Sequence, residues 1–286
     1  MALNKETFRT RTLTAVVFVL IMAVGLLWNR WSFFVLFSIV QFGAWIEYQN
    51  LVSLFNPDYK TISKVHRWGV RLAGWCLLLY FTNNTLHLGA VSLTEVGFWL
   101  GIILLFLIPA AELFLRKPFL IKNLGYSLCG LLYISLSLAL FIHLRSRWAA
   151  DSASLSLTIP LLIIFTLWVN DTMAYIVGSF IGKTPLSSIS PKKTWEGTVG
   201  GIILAIIVMM VIAYFTGRLS LLHTAIITAL AAISGTFGDL FESKLKRMAG
   251  VKDSGSIMPG HGGFLDRFDS LLFASTVVWL YVMVVF

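Results

Sequence analysis

Charge is what this chain has least of. Only 12% of its 286 residues are charged and 58% are hydrophobic, against roughly 25% charged in an ordinary soluble domain. A soluble globular protein is excluded on that balance. Cysteine is equally scarce: Cys76 and Cys129 lie singly inside apolar runs without CxxC spacing, so neither a disulfide framework nor a metal–thiolate site is expected. No HExxH, GxSxG, GxGxxG or GxxxxGK[ST] occurs, which leaves zinc peptidases, acyl-transferring serine enzymes and the familiar nucleotide folds without support. Charge-rich and Pro/Gly-rich linkers are missing, and so is any internal repeat. These absences point to one integral membrane domain over 1–286, an all-α polytopic helical bundle.

What is present is a succession of apolar runs. A span takes about 20 mostly apolar residues, and candidates lie at 12–28, 31–54, 69–91, 96–115, 124–144, 157–181, 198–216, 222–240 and 265–286. About nine transmembrane helices are therefore expected, with 1–160 holding N-terminal spans and 161–286 holding the spans and loops that carry chemistry. Lys5, Arg9 and Arg11 before the first run imitate a secretory signal, but no small-residue cleavage site follows, so a retained first helix is expected. With the N-terminus cytoplasmic, eighteen of the 22 basic residues fall on the inner side and only Arg30, Arg145, Arg147 and Arg218 outside. That asymmetry places the N-terminus in the cytoplasm. The net charge of +9 forms no basic face, so membrane topology and anionic lipid or phosphate partners explain it better than nucleic acid.

Two inner connections mix Lys, Asp, Glu, Gly, Ser and His. In the first, Asp171 lies within an apolar run, where a carboxylate is expensive enough to suggest function; a hydrogen bond to Tyr175 one turn on is the plainer alternative. Lys192, Lys193 and Thr194 precede Glu196 and the glycines that open the next helix. Ammonium groups just before a helix N-terminus suit phosphate, although a Lys pair there also serves topology.

In the second, Asp239 and Glu242 end one span while Asp266 and Asp269 begin the next. Spacing of i, i+3 puts each pair on one helix face. If the helices are neighbours, four carboxylates converge at the membrane surface, and hard oxygen ligands without a His or Cys cluster suit Mg²⁺. Pairing with local Lys and Arg is the competing explanation. Between the pairs lie Lys244, Lys246, Arg247 and Lys252, then PGHGG, whose glycines let backbone amides approach a ligand. Carboxylates beside such a loop are the ingredients of phosphoryl or nucleotidyl transfer.

The run from Ser243 to Arg247, then Lys252-Asp253, then Pro259 through Asp269 resembles the signature of phosphatidate cytidylyltransferases, the CDP-diacylglycerol synthases. Asp171-Thr172, Ala174-Tyr175, Gly178, Gly182-Lys183 and Ser190 through Gly197 resemble that family's other segment. The resemblance implies a polytopic, dimeric enzyme, located in a membrane such as the bacterial inner membrane with its active site facing the cytoplasm. It would use CTP, phosphatidic acid and divalent metal to make CDP-diacylglycerol and pyrophosphate. On that reading Asp239, Asp266, Asp269 and Lys252 are the catalytic set, and Asp239, Glu242, Asp266 and Asp269 hold one or two Mg²⁺ ions. Lys192, Lys193, Thr194, Glu196, Lys244, Arg247, Asp253, His261, Gly262, Gly263, Arg267 and Asp171 bind substrate. A CTP-using lipid kinase, or a cytidylyltransferase acting on another lipid phosphate, is the second enzyme reading, and a transporter using Asp171 or Glu47 as a proton or cation site is the non-enzyme one.

Overall fold

The computed structural model describes residues 5–115, 121–148, 153–256 and 262–286. The chain is helical almost throughout. Its helices are α1 (Lys5–Leu27), α2 (Arg30–Phe55), α3 (Lys64–Tyr80), α4 (Leu93–Leu115), α5 (Ile121–Gly130), α6 (Ser137–Ser146), α7 (Ala153–Ile181), α8 (Trp195–Thr216), α9 (Leu221–Met248) and α10 (Leu265–Val285). A π-helical turn at Leu131–Leu136 joins α5 to α6, so Ile121–Ser146 is one rod. Among the described residues the sheet is a single short hairpin, His87–Leu88 against Val91–Ser92.

Among the described residues seven helices are long and apolar enough to cross a membrane: Arg30–Phe55, Leu93–Phe114, Ile121–Ser146, Ser154–Ile181, Trp195–Thr216, Leu221–Met248 and Leu265–Val285. The protein is an integral membrane helical bundle. The expected spans at 12–28 and 69–91 correspond to α1, with a shorter apolar stretch Val16–Leu27, and to α3. At 17 residues α3 stops earlier than expected. Asn83 and Asn84 both adopt positive φ, 51° and 53°, a turn conformation that Asn tolerates better than most residues.

The chain divides into two compact units, Met1–Ile142 with Met248–Arg267, and His143–Arg247 with Phe268–Phe286. In the first, α2 supplies the core: Phe33, Phe37 and Phe141 cluster with ring centroids 4.7–5.4 Å apart, and Trp45 and Tyr48 are buried. Asn29 starts α2 through a reciprocal cap with Ser32. Several of the buried polar groups bond to one another. Trp45 Nε1 donates to Ser135 Oγ at 2.8 Å, Tyr59 Oη and His66 Nε2 each lie 2.8 Å from Ser127 Oγ, and His66 Nδ1 is 3.2 Å from Glu112 Oε2. Such pairing is what an apolar surrounding demands of polar side chains.

In the second unit α7 and α8 cross with their backbones almost touching. A Cβ on Gly201 would meet Ala174 Cβ at 2.8 Å and Asn170 O at 2.9 Å, and one on Gly197 would meet Ala174 O at 2.7 Å. Small residues make this approach possible, and close van der Waals packing is the main attraction between helices in lipid. Helices α9 and α10 do the same at Gly238, where a Cβ would lie 2.5 Å from Asp269 O.

Candidate active site

The α7–α8 connection is held by main-chain bonds and one carboxylate. Leu186 N donates to Lys193 O at 2.7 Å and Trp195 N to Thr184 O at 2.9 Å. Thr194 Oγ1 accepts from Gly197 N at 3.1 Å, which caps α8. Glu196, in the first turn of α8, accepts from Lys183 N at 3.1 Å and from Thr184 N at 3.2 Å. Its carboxylate therefore clamps the connection, and the negative charge suits a helix N-terminus.

Lys192 and Lys193 are thereby presented to a cavity of about 510 Å³ whose wall includes Asn170, Asp171, Thr236 and Asp239. Lys193 Nζ is 2.6 Å from Asp239 Oδ2. Asp269 is buried and brought near by the Gly238 contact; Asp171 and Asp239 lie close enough for their charges to interact with it, and Lys193 stands among them. Asn170 Oδ1 is buried without a hydrogen-bond partner among the described residues. An acceptor left unbonded in a polar cavity is unusual enough to indicate an absent partner.

Glu242 is fully buried, with Oε2 2.5 Å from Lys246 Nζ one turn along α9. Lys244 and Arg247 are exposed on the same helix. In the first unit, Lys252, Asp253 and Arg267 are exposed, and Asp266 organises the segment around it. Its Oδ2 accepts from Ser254 N at 2.9 Å, Ser254 Oγ at 2.8 Å and Gly263 N at 2.8 Å. Gly262 has φ of 82°, and a Cβ there would lie 2.6 Å from Asp266 Oδ2. His261 lies outside the described residues, as do Pro259 and Gly260.

Two residues enter the geometry that the motifs did not assign. Asn170 is one; an amide beside a conspicuous Asp carries no signal of its own. Glu47 is the other, which the sequence offers only as a proton or cation site of the transport reading. It bonds to the segment that Asp266 organises.

Among the described residues no three His, Cys, Asp or Glu side chains are gathered so as to enclose a metal ion. Mg²⁺ does not need such a cage: it keeps several waters and takes one or two carboxylates together with substrate phosphates. Asp171 and Asp239 on the cavity wall, with the buried Asp269 near enough to interact with both, offer such carboxylates beside an unbonded amide oxygen, so the residues here fit the ion.

Residues 9–285 match the family described as cytidylyltransferase. A phosphatidate cytidylyltransferase of Bacillus subtilis (strain 168) is 32% identical over 272 residues, 94% of this chain and 94% of that protein. One from Staphylococcus saprophyticus is 37% identical over 181 residues, 63% of this chain and 69% of its own length. Phosphatidate cytidylyltransferase 4, chloroplastic, of Arabidopsis thaliana is 46% identical over 114 residues, 40% of this chain but only 29% of that longer protein.

Proposed function

We propose that this chain, which belongs to the cytidylyltransferase family, transfers the cytidylyl group of CTP to phosphatidic acid, giving CDP-diacylglycerol and pyrophosphate. It is a nucleotidyltransferase of phospholipid biosynthesis. The observation that carries the reading is the cavity of the second unit, where Asp171, Lys192 and Lys193, on a segment that resembles the family's, meet Asp239 of α9.

The reaction joins two polyanions. A phosphate oxygen of the lipid attacks the α-phosphorus of CTP, a P–O bond forms, and the bond from that phosphorus to the bridging oxygen breaks as pyrophosphate leaves. The nucleophile is already an anion, so no strong base is required. What the protein must supply is neutralisation and alignment. Lys192 and Lys193 hold phosphate oxygens at the N-terminal end of α8, where helix polarity also favours anions. Asp239 and Asp269 hold Mg²⁺, which when bound shields the phosphate charges and fixes their orientation. Asp171 and Asn170 line the same cavity and orient substrate, while Glu196 and Thr194 keep the lysine-bearing connection in place. Lys252 and Arg267, exposed in the first unit, are the cations there that the resemblance assigns to substrate phosphates.

The site faces the cytoplasm, as the distribution of basic residues supports, so CTP arrives from water and phosphatidic acid from the inner leaflet. A homodimer is the assembly that the family resemblance supports. Asp269→Asn tests the carboxylate role: pyrophosphate release is expected to fall by about 100-fold or more, the range seen when one preorganised electrostatic group is lost, with the protein still extracted intact from membranes. Near-normal turnover would remove Asp269 from the site.

A further inference from the structure

Glu47 stands near the C-terminal end of α2, is only 5% exposed, and spends all its visible bonds on one distant stretch of chain. Oε1 accepts from Phe264 N at 2.8 Å. Oε2 accepts from Leu265 N at 2.8 Å and from Ser254 Oγ at 2.7 Å. Ser254 Oγ is in turn 2.8 Å from Asp266 Oδ2. Two carboxylates from different helices therefore share one hydroxyl and between them tie Ser254 to Gly263, Phe264 and Leu265. The glycines record how close the approach is: a Cβ on Gly255 or Gly263 would collide with the Glu47 carboxylate.

The chemistry explains why the residue is Glu. Its partners are donors, two amides and a hydroxyl, and Leu265 opens α10, where the first amides lack intrahelical acceptors. An ionised carboxylate is acceptor-only and suits the positive end of a helix. Gln would keep the size but turn an NH₂ toward those donors. The other polar side chains of α2 bond elsewhere, Gln41 to Arg71 O, Trp45 to Ser135 and Tyr48 to Tyr126 O, so Glu47 is the α2 carboxylate that reaches this segment.

We propose that Glu47 is a positioning residue for cytidylyl transfer: from α2 it fixes the segment carrying Gly262, Gly263, Asp266 and Arg267 without itself touching substrate. This rests on the functional reading above, because that segment is the one expected to meet CTP. A transport role for Glu47 is not needed, since its oxygens are bonded to main chain and Ser254.

The test is Glu47→Gln in the full-length protein, purified in detergent and assayed with CTP, phosphatidic acid and Mg²⁺, with hydrogen exchange measured on the 254–265 peptides. Expected are a kcat lowered at least about tenfold, as for misplacement of reacting groups, a KM for CTP within about threefold, a folded protein whose unfolding midpoint is modestly lowered because buried donors lose their acceptor, and faster exchange at Phe264 and Leu265. Unchanged turnover, with or without faster exchange, overturns the proposal. So does lower turnover with unchanged exchange, because Glu47 would then act directly. If Glu47→Gln does not fold, Ser254→Ala, which removes the hydroxyl shared by Glu47 and Asp266, is read by the same criteria with a smaller loss of about threefold. Absence of cytidylyl transfer by the wild type refutes the functional reading, whereas the exchange result still judges the Glu47 contacts.

Discussion

Lys193 and Asp239 form a pair whose side chains are 34% and 26% exposed. Such an ion pair contributes about 0–1 kcal/mol to stability, too little to account for a lysine set among three carboxylates at a cavity. The pair serves better as a ligand contact in waiting. Lys193→Met is accordingly expected to leave the unfolding midpoint almost unchanged while raising the KM for CTP about tenfold; a large drop in midpoint with normal KM would make the pair structural. Glu242 and Lys246 differ, because Glu242 is fully buried and a buried ion pair is costly to break. Asp171, Lys192, Lys193, Asp239 and Asp269 were legible in the sequence since charge in an apolar chain stands out. The bonds of Glu47 and Glu196 were not. Their partners are mainly backbone amides, which carry no residue code, and those of Glu47 lie more than 200 positions away.

At the scale of elements, helix crossings built on glycine set the site's dimensions. Gly201→Ala pushes a methyl into Ala174 and the α7 backbone, and overpacking of this kind costs about 1–3 kcal/mol. Gly125 on α5 has nothing within 4 Å of its Cβ position, so Gly125→Ala is expected to be neutral or stabilising by about 0.5–1 kcal/mol. Thermal unfolding in detergent compares the two, and equal effects would contradict the α7–α8 packing. Spans were readable because about 20 apolar residues are a strong signal. The π turn at Leu131–Leu136 was not readable, since LLYISL has the composition of an unbroken helix. The early end of α3 was half visible in TNNTLHLG, where turn formers interrupt the apolar run.

For the whole molecule, the helical membrane architecture was legible from composition alone, and the family from two long charged segments. The division into two units was not, because Ser254, Phe264 and Leu265 bond to Glu47 of α2, a long-range contact with no local signature. The central claim is cytidylyl transfer to a lipid phosphate. It is tested most directly by supplying purified protein with CTP and phosphatidic acid and following the nucleotide products with Mg²⁺, with EDTA, and with Mg²⁺ restored. Pyrophosphate and CDP-diacylglycerol in equal amounts, lost on chelation and recovered with Mg²⁺, is the expected result. Release of CDP in place of pyrophosphate, or no reaction under any metal condition, would contradict it.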